Sequence, residues 1–239
     1  MIDDVYQIEI LRNIPQIKHA ISTKAFGSIK KDDGTIHHAN LFKFAKSQNF
    51  ASMPICMNQV HGTSVSIIEN NREIILPKTD GMVTNKKGLP LTILTADCLP
   101  ILFYDSQKKV VGVAHAGRKG LLHGIIHEIV SVLKTSFNSE PKDIIVDVGP
   151  SIEKTCYEVD ESIITEFGNA FPTFSNMFEQ KENKYLLDLR AVAMQSLQKE
   201  GILEKNIQIS SVCTKCDERF YSYRRGDTNG RFASIISLV

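Results

Sequence analysis

Three short segments of this 239-residue chain end an apolar run in a turn of small residues, and each turn carries one strong metal ligand. They are Gln59-Val60-His61-Gly62, Ala96-Asp97-Cys98-Leu99-Pro100 and Ala114-His115-Ala116-Gly117. Strand ends on a rigid sheet hold ligands to a tight tolerance. Two imidazoles and one thiolate suit a borderline ion such as Zn²⁺. Three protein ligands leave one tetrahedral position open, which marks a catalytic rather than a structural site. A water held there ionises near neutral pH and supplies hydroxide. His61, Cys98 and His115 are therefore the candidate ligands. The same residues fit a second chemistry. Cys98 beside His115 can act as a nucleophile–base pair, with the thiolate stabilised by imidazolium, for acyl transfer or amide hydrolysis. Spacing does not choose between the two, because both need Cys and His in contact.

Other polar groups carry weaker signals. Cys213-Thr-Lys-Cys216 is a CxxC, but no second pair stands at finger spacing, so it reads as non-metal. His123 and His127 lie four apart after His115 but lack the HExxH glutamate, and read as a solvated helix face. His37-His38 falls in a polar loop. Arg224-Arg225, in Tyr221-Ser-Tyr-Arg-Arg-Gly226, either clamps an anion through bidentate hydrogen bonds or is an ordinary charged turn. Asp97 alternates away from Cys98 on a regular strand, so it supports the site indirectly at most.

The elements that must position these groups follow from periodicity. Residues 89–104 form a continuous β-branched, apolar run, as a buried strand does, with Asp97-Cys98 at its end or at a bulge before Pro100. Residues 110–115 predict another strand, running into a helix of about 15 residues with Leu122, Ile125, Ile126, Ile129, Val132 and Leu133 on one stripe. A strand and a turn are expected over 16–30, strand-like runs within 55–69 on either side of Asn58-Gln59-Val60-His61-Gly62, a strand at 143–149, and helices at 40–49, 158–170 and 187–200. A polar loop is expected over 27–38, and alternating strands and turns from Gln208 onward. No linker divides the chain. The expectation is one α/β (α+β) domain over 1–239, with mixed β-sheets flanked by helices.

Composition narrows the function classes. An apolar fraction of 42% suffices for a core, and a net charge of +1 disfavours a general nucleic-acid binder. The two commonest phosphate loops, GxxxxGK[ST] and GxGxxG, are absent. Met1-Ile2-Asp3-Asp4 is not a basic leader, and no run reaches the ~18 apolar residues of a membrane helix. Five cysteines, an odd number, read as thiols in a reducing compartment, so a cytoplasmic location is expected, without membrane partners.

Several longer motifs occur in a fixed order: NQVHGTSV, Asp80-Gly-Met-Val-Thr84, LTADCLPILFYD, GVAHAG, DVGPSIEKTCYEV, and CT followed by FYSYRRGDTNGR. Over residues 16–239 the chain resembles the laccase-domain (YfiH-like) family of purine nucleoside phosphorylases. The resemblance implies a YfiH-like fold and a zinc enzyme that phosphorolyses adenosine, inosine and S-methyl-5′-thioadenosine and deaminates adenosine. It places the metal on His61, Cys98 and His115, with Cys98 and His115 also catalytic. The expected partners are a small-molecule nucleoside and phosphate, the state a monomer or homodimer. The family is also described as copper-dependent polyphenol oxidases, so copper is the alternative metal, and as peptidoglycan editing factors, which suits a Cys-His amide hydrolase. The chain departs from the family pattern in three places. A Thr-Arg-x-Gly-Gly run is here Thr23-Lys24-Ala25-Phe26-Gly27. The loop that follows it is shortened to the stretch around His38-Ala-Asn40. Trp-Arg-Gly after the second histidine is here Arg118-Lys119-Gly120. Lys24, Lys119, Arg224 and Arg225 are thus the expected substrate and phosphate contacts, with weak phosphorolysis because Lys lacks the planar fork of Arg.

Overall fold

The structure is a computed structural model that describes residues 4–239. The reading of the N-terminal leader rests on Met1 to Asp3, which lie outside the described residues. Two sheets make the frame. One has four strands, ordered Val5–Tyr6, Ile17–Ser22, Phe232–Leu238 and Leu91–Thr95, all antiparallel neighbours. The other has six, ordered Ile207–Ile209, Ile144–Val148, Leu99–Asp105, Val110–Ala116, Gly81–Thr84 and Val65–Ile67. Its two outer pairings are parallel and the inner ones antiparallel. Two small sheets complete a mixed α+β domain.

Period-two alternation assigns the layers. Leu99, Ile101 and Phe103 face one core together with Ile125, Ile126, Ile129 and Leu133 of the helix Ile125–Phe137. Leu102 and Tyr104, pointing the other way, share a second core with Leu91, Ile93, Ile236 and Leu238 of the four-stranded sheet. The far side of that sheet, through Ala20, Leu94, Ala233 and Ile235, packs on Leu41 and Phe44 of the helix His38–Ser47. Each central strand is buried on both faces, which is why the sequence shows unbroken apolar runs there.

Three local expectations change. Residues 89–104 are two strands in different sheets, because Asp97 turns the chain with a φ of 86° and carries it from one sheet to the other. The helix after His115 is two helices, Arg118–Leu122 and Ile125–Phe137, broken where Gly124 takes a φ of 90°. Residues 210–231 are turns and loops with one isolated bridge, at Cys213; Ile207–Ile209 and Phe232–Leu238 are the strands of the C-terminal stretch. Among the described residues no helix is long and apolar enough to cross a membrane.

Candidate metal centre

Strand register builds the site. Leu99 pairs with Ala116 and Pro100 with His115, so Cys98, one residue before its strand, falls opposite Gly117. On the other side Gly81 pairs with Ala114, which sets Asp80 against His115, and the His115 N–H donates to the Asp80 carbonyl at 2.8 Å. The Asp80 carboxylate then does two things. One oxygen meets His115 Nδ1 at 2.8 Å. Both oxygens accept backbone N–H groups of Val60, His61 and Gly62, at 2.9–3.1 Å. That cradle holds His61 at a φ of 60°, a left-handed conformation that is uncommon outside glycine. One carboxylate thus orients both imidazoles.

The ligand atoms of His61, Cys98 and His115 converge within 4.8 Å of one another. The two imidazole rings lie edge to face, with centroids 4.8 Å apart. Gly117 makes the approach possible: a Cβ there would stand 2.8 Å from Cys98 Sγ and 2.9 Å from His61 Cδ2. Burial alone would raise the Cys98 thiol, but the charge and hydrogen bond of His115 and the hydrogen bond of His61 bring it down to about 6. Burial alone would lower His115, yet the charge of Cys98 and the bond to Asp80 lift it to about 9. Each group thus favours the charged form of the other, a thiolate facing an imidazolium. The donor set fits a metal: two nitrogens and a sulfur at converging distances, with Asp80 bonded to Nδ1 of His115 so that Nε2 would be the atom left to face an ion.

A cavity of about 600 Å³ opens over the trio. Asp97, Tyr157, Tyr223, Lys30, Arg224 and Arg231 are among the residues on its walls. Asp97 ties the C-terminal loop to this wall, accepting Thr214 Oγ1 at 2.6 Å and the Arg224 N–H at 2.8 Å. The Arg224 guanidinium lies over the Tyr157 ring at 4.7 Å.

Of the four cations expected at the substrate, only Arg224 reaches this cavity. Lys24 pairs with Asp227 at 3.1 Å and sits over Tyr221. Lys119 is exposed on the short helix after Gly117 and lies outside the wall. Arg225 spends its guanidinium on the carbonyls of Thr214, Lys215 and Phe220 and on Asp227, so it holds the loop together. Lys30 and Arg231 occupy the wall instead, from a loop and a strand edge that local pattern did not single out. Asp80 opens one of the motifs shared with the family, but its role depends on strand register, which no local pattern contains. His123 is exposed, and His127, also exposed, pairs with Glu200 at 3.0 Å.

The family described as multi-copper polyphenol oxidoreductase laccase matches residues 13–239. The chain belongs to this family. A purine nucleoside phosphorylase of Streptomyces coelicolor is 33% identical over 216 residues, covering 89% of this chain and 86% of that protein. Purine nucleoside phosphorylase YlmD of Bacillus subtilis is 37% identical over 167 residues, 68% of this chain and 60% of that protein. The fold agrees with the structure of a Bacillus licheniformis hypothetical protein, YfiH, with a TM-score of 0.87 at 28% identity, over 99% of this chain and 100% of that one. YlmD of Geobacillus stearothermophilus follows with 0.83, also at 28% identity, over 98% and 99%. The YfiH-like mixed α+β fold is thereby established, and the phosphorylase relatives support an enzyme of this kind.

Proposed function

We propose that this chain is a zinc-dependent purine nucleoside phosphorylase that accepts adenosine, inosine and S-methyl-5′-thioadenosine and also deaminates adenosine. The observation that carries the reading is the His61–Cys98–His115 cluster opening into a cavity with two tyrosines and three cations on its walls, in a chain whose relatives bear the phosphorylase name. An ion held by His61, Cys98 and His115 would supply Lewis acidity to the reacting group and hydroxide for deamination. Asp80 keeps the His115 ring in one tautomer and orientation. Tyr157 and Tyr223 offer apolar faces to a purine ring. Lys30, Arg224 and Arg231 meet the charge of inorganic phosphate. In phosphorolysis a phosphate oxygen bonds to the sugar C1′ as the bond to the purine nitrogen breaks. The base leaves with that electron pair and takes up a proton.

The test is a phosphate titration of free-base release from the three nucleosides, with zinc-loaded and with chelated protein. Base release that rises with phosphate and disappears on chelation supports the proposal. No free base at any phosphate concentration, from protein that holds zinc, ends it. A second reading is favoured by one observation: Asp80, His115 and Cys98 form an orienter–base–nucleophile chain. That arrangement suits a Cys-His amide hydrolase acting on peptidoglycan precursors, and amide cleavage that survives exhaustive metal removal would select it. Copper-dependent oxidation of phenols is disfavoured by ligand count, since among the described residues only two histidines converge.

A further inference from the structure

The CxxC turn that stood alone in the sequence gains a third sulfur in the fold. Cys156, far before it in the chain, ends the short 3-10 turn Lys154–Cys156. A parallel bridge between Ser151 and Cys213 lays that segment beside the CxxC. The three sulfurs all lie within 4.8 Å of one another, and Cys156 and Cys216 Sγ are 3.4 Å apart. Three thiolates on one tetrahedral zinc, with bonds of about 2.3 Å, stand roughly 3.7 Å from each other. The observed spacing brackets that value.

We infer that Cys156, Cys213 and Cys216 form a second metal site, a three-thiolate cradle for a thiophilic divalent ion such as zinc. The inference does not depend on the activity proposed above. Three features of the surroundings support it. The Glu153 N–H points at Cys213 Sγ at 3.5 Å, and the N–H groups of Lys215 and Cys216 also bond to that sulfur. Amide donors of this kind favour an anionic sulfur. The Arg190 guanidinium, anchored on Ser151 Oγ at 3.0 Å and on the carbonyls of Ser151 and Val212, offsets the excess negative charge of three thiolates around a divalent ion. Cys216 is exposed, so water completes the fourth position and an ion can enter from solvent. On binding, each thiol gives its proton to solvent as its sulfur bonds the ion.

The site would act as a staple. Tyr157, next to Cys156, lines the cavity, and Thr214, next to Cys213, holds Asp97. An ion here would therefore join the two segments that frame one wall of the cavity.

Cobalt(II) titration tests the proposal in a Cys98→Ala background, where the first centre has no sulfur left. Thiolate-to-cobalt charge-transfer absorption should still appear, and Cys216→Ser should weaken cobalt binding by ~10-fold or more. Cys216 is exposed, so its serine variant leaves the core untouched; Cys156→Ser, from the other segment, should do the same. Zinc analysis of the wild-type chain should show an equivalent beyond the first, lost in Cys216→Ser. The inference is overturned by a Cys98→Ala protein without thiolate absorption. It is equally overturned by absorption that persists in both serine variants, or by freshly purified protein in which Cys156 and Cys216 are crosslinked and no second metal binds.

Discussion

Asp80 is the residue on which the centre turns. Its carboxylate accepts three backbone N–H groups around His61 and bonds His115 Nδ1. Asp80→Asn keeps the shape but removes the charge that gathers these donors. Zinc affinity should fall about 10–100-fold, as for other residues that orient metal ligands. A competition titration against a chromophoric chelator reads this, and an unchanged affinity would refute the role. The cations separate in the same way. Arg231 lines the cavity while Lys119 does not. Losing a charge-assisted hydrogen bond costs roughly 1.5–3 kcal/mol. Arg231→Ala should therefore raise the phosphate concentration for half-maximal base release about ten-fold or more, whereas Lys119→Ala should leave it within about two-fold. The reverse ranking would return the phosphate site to the helix after Gly117.

At the scale of elements, the turns matter more than the strands they join. Gly117 begins the helix Arg118–Leu122 while its missing side chain admits Cys98 and His61. Gly117→Ala should drive the ligands apart, since contacts of 2.8 and 2.9 Å lie below any ordinary carbon approach. Metal content should drop by about ten-fold or more, with cooperative unfolding retained; full zinc occupancy in this variant would contradict the packing argument. The C-terminal loop depends on Asp227. Burial alone would raise this carboxyl, but the Ser222 N–H, Lys24 and Arg225 bring it down to about 2. A group depressed in the folded state stabilises it above the ordinary carboxylate range, and that contribution is lost as pH falls through its folded value. Wild-type stability should therefore decline between about pH 4 and pH 2, and Asp227→Asn should flatten this decline. Denaturant midpoints across that range measure it, and parallel acid limbs would remove Asp227 from the account.

Across the whole molecule, the candidate centre lies where the chain leaves one sheet for the other. Leu91–Thr95 belongs to the four-stranded sheet and Leu99–Asp105 to the six-stranded one, with Cys98 between them. The two sheets and their covering helices give that crossing a rigid base. Phe103, fully buried on the Leu99–Asp105 strand, packs in the core beneath the helix Ile125–Phe137. Phe103→Ala should cost about 3–5 kcal/mol of unfolding free energy. Because Phe103 lies in the core under the helix and is not on the wall of the cavity over the trio, the folded fraction should keep its zinc affinity. Chemical denaturation and metal titration on the same sample separate the two effects.

Much of this was written in local pattern. Buried strands at 110–115 and 143–149, and helices near 40–49, 158–170 and 187–200, followed from periodicity, because apolar spacing reports which side of an element meets a core. His61, Cys98 and His115 stood out since each ends an apolar run in a turn of small residues. Local pattern could not show that 89–104 crosses between sheets, because a strand buried on both faces looks the same in either. It could not rank the cations either. Lys24, Lys119 and Arg225 carry the same charge as Arg231, and only packing decides that Lys24 and Arg225 are used on Asp227 and loop carbonyls while Arg231, one of whose amino groups holds the Thr228 and Gly230 carbonyls, also reaches the cavity. Asp80 meets His115, and Cys156 meets Cys213 and Cys216, through strand register and bridging between segments far apart in sequence. Composition and periodicity determine most of the elements of this protein, but not where a turn breaks one, as at Asp97 and Gly124; the partners of its reactive side chains are set by long-range pairing, which no local window contains.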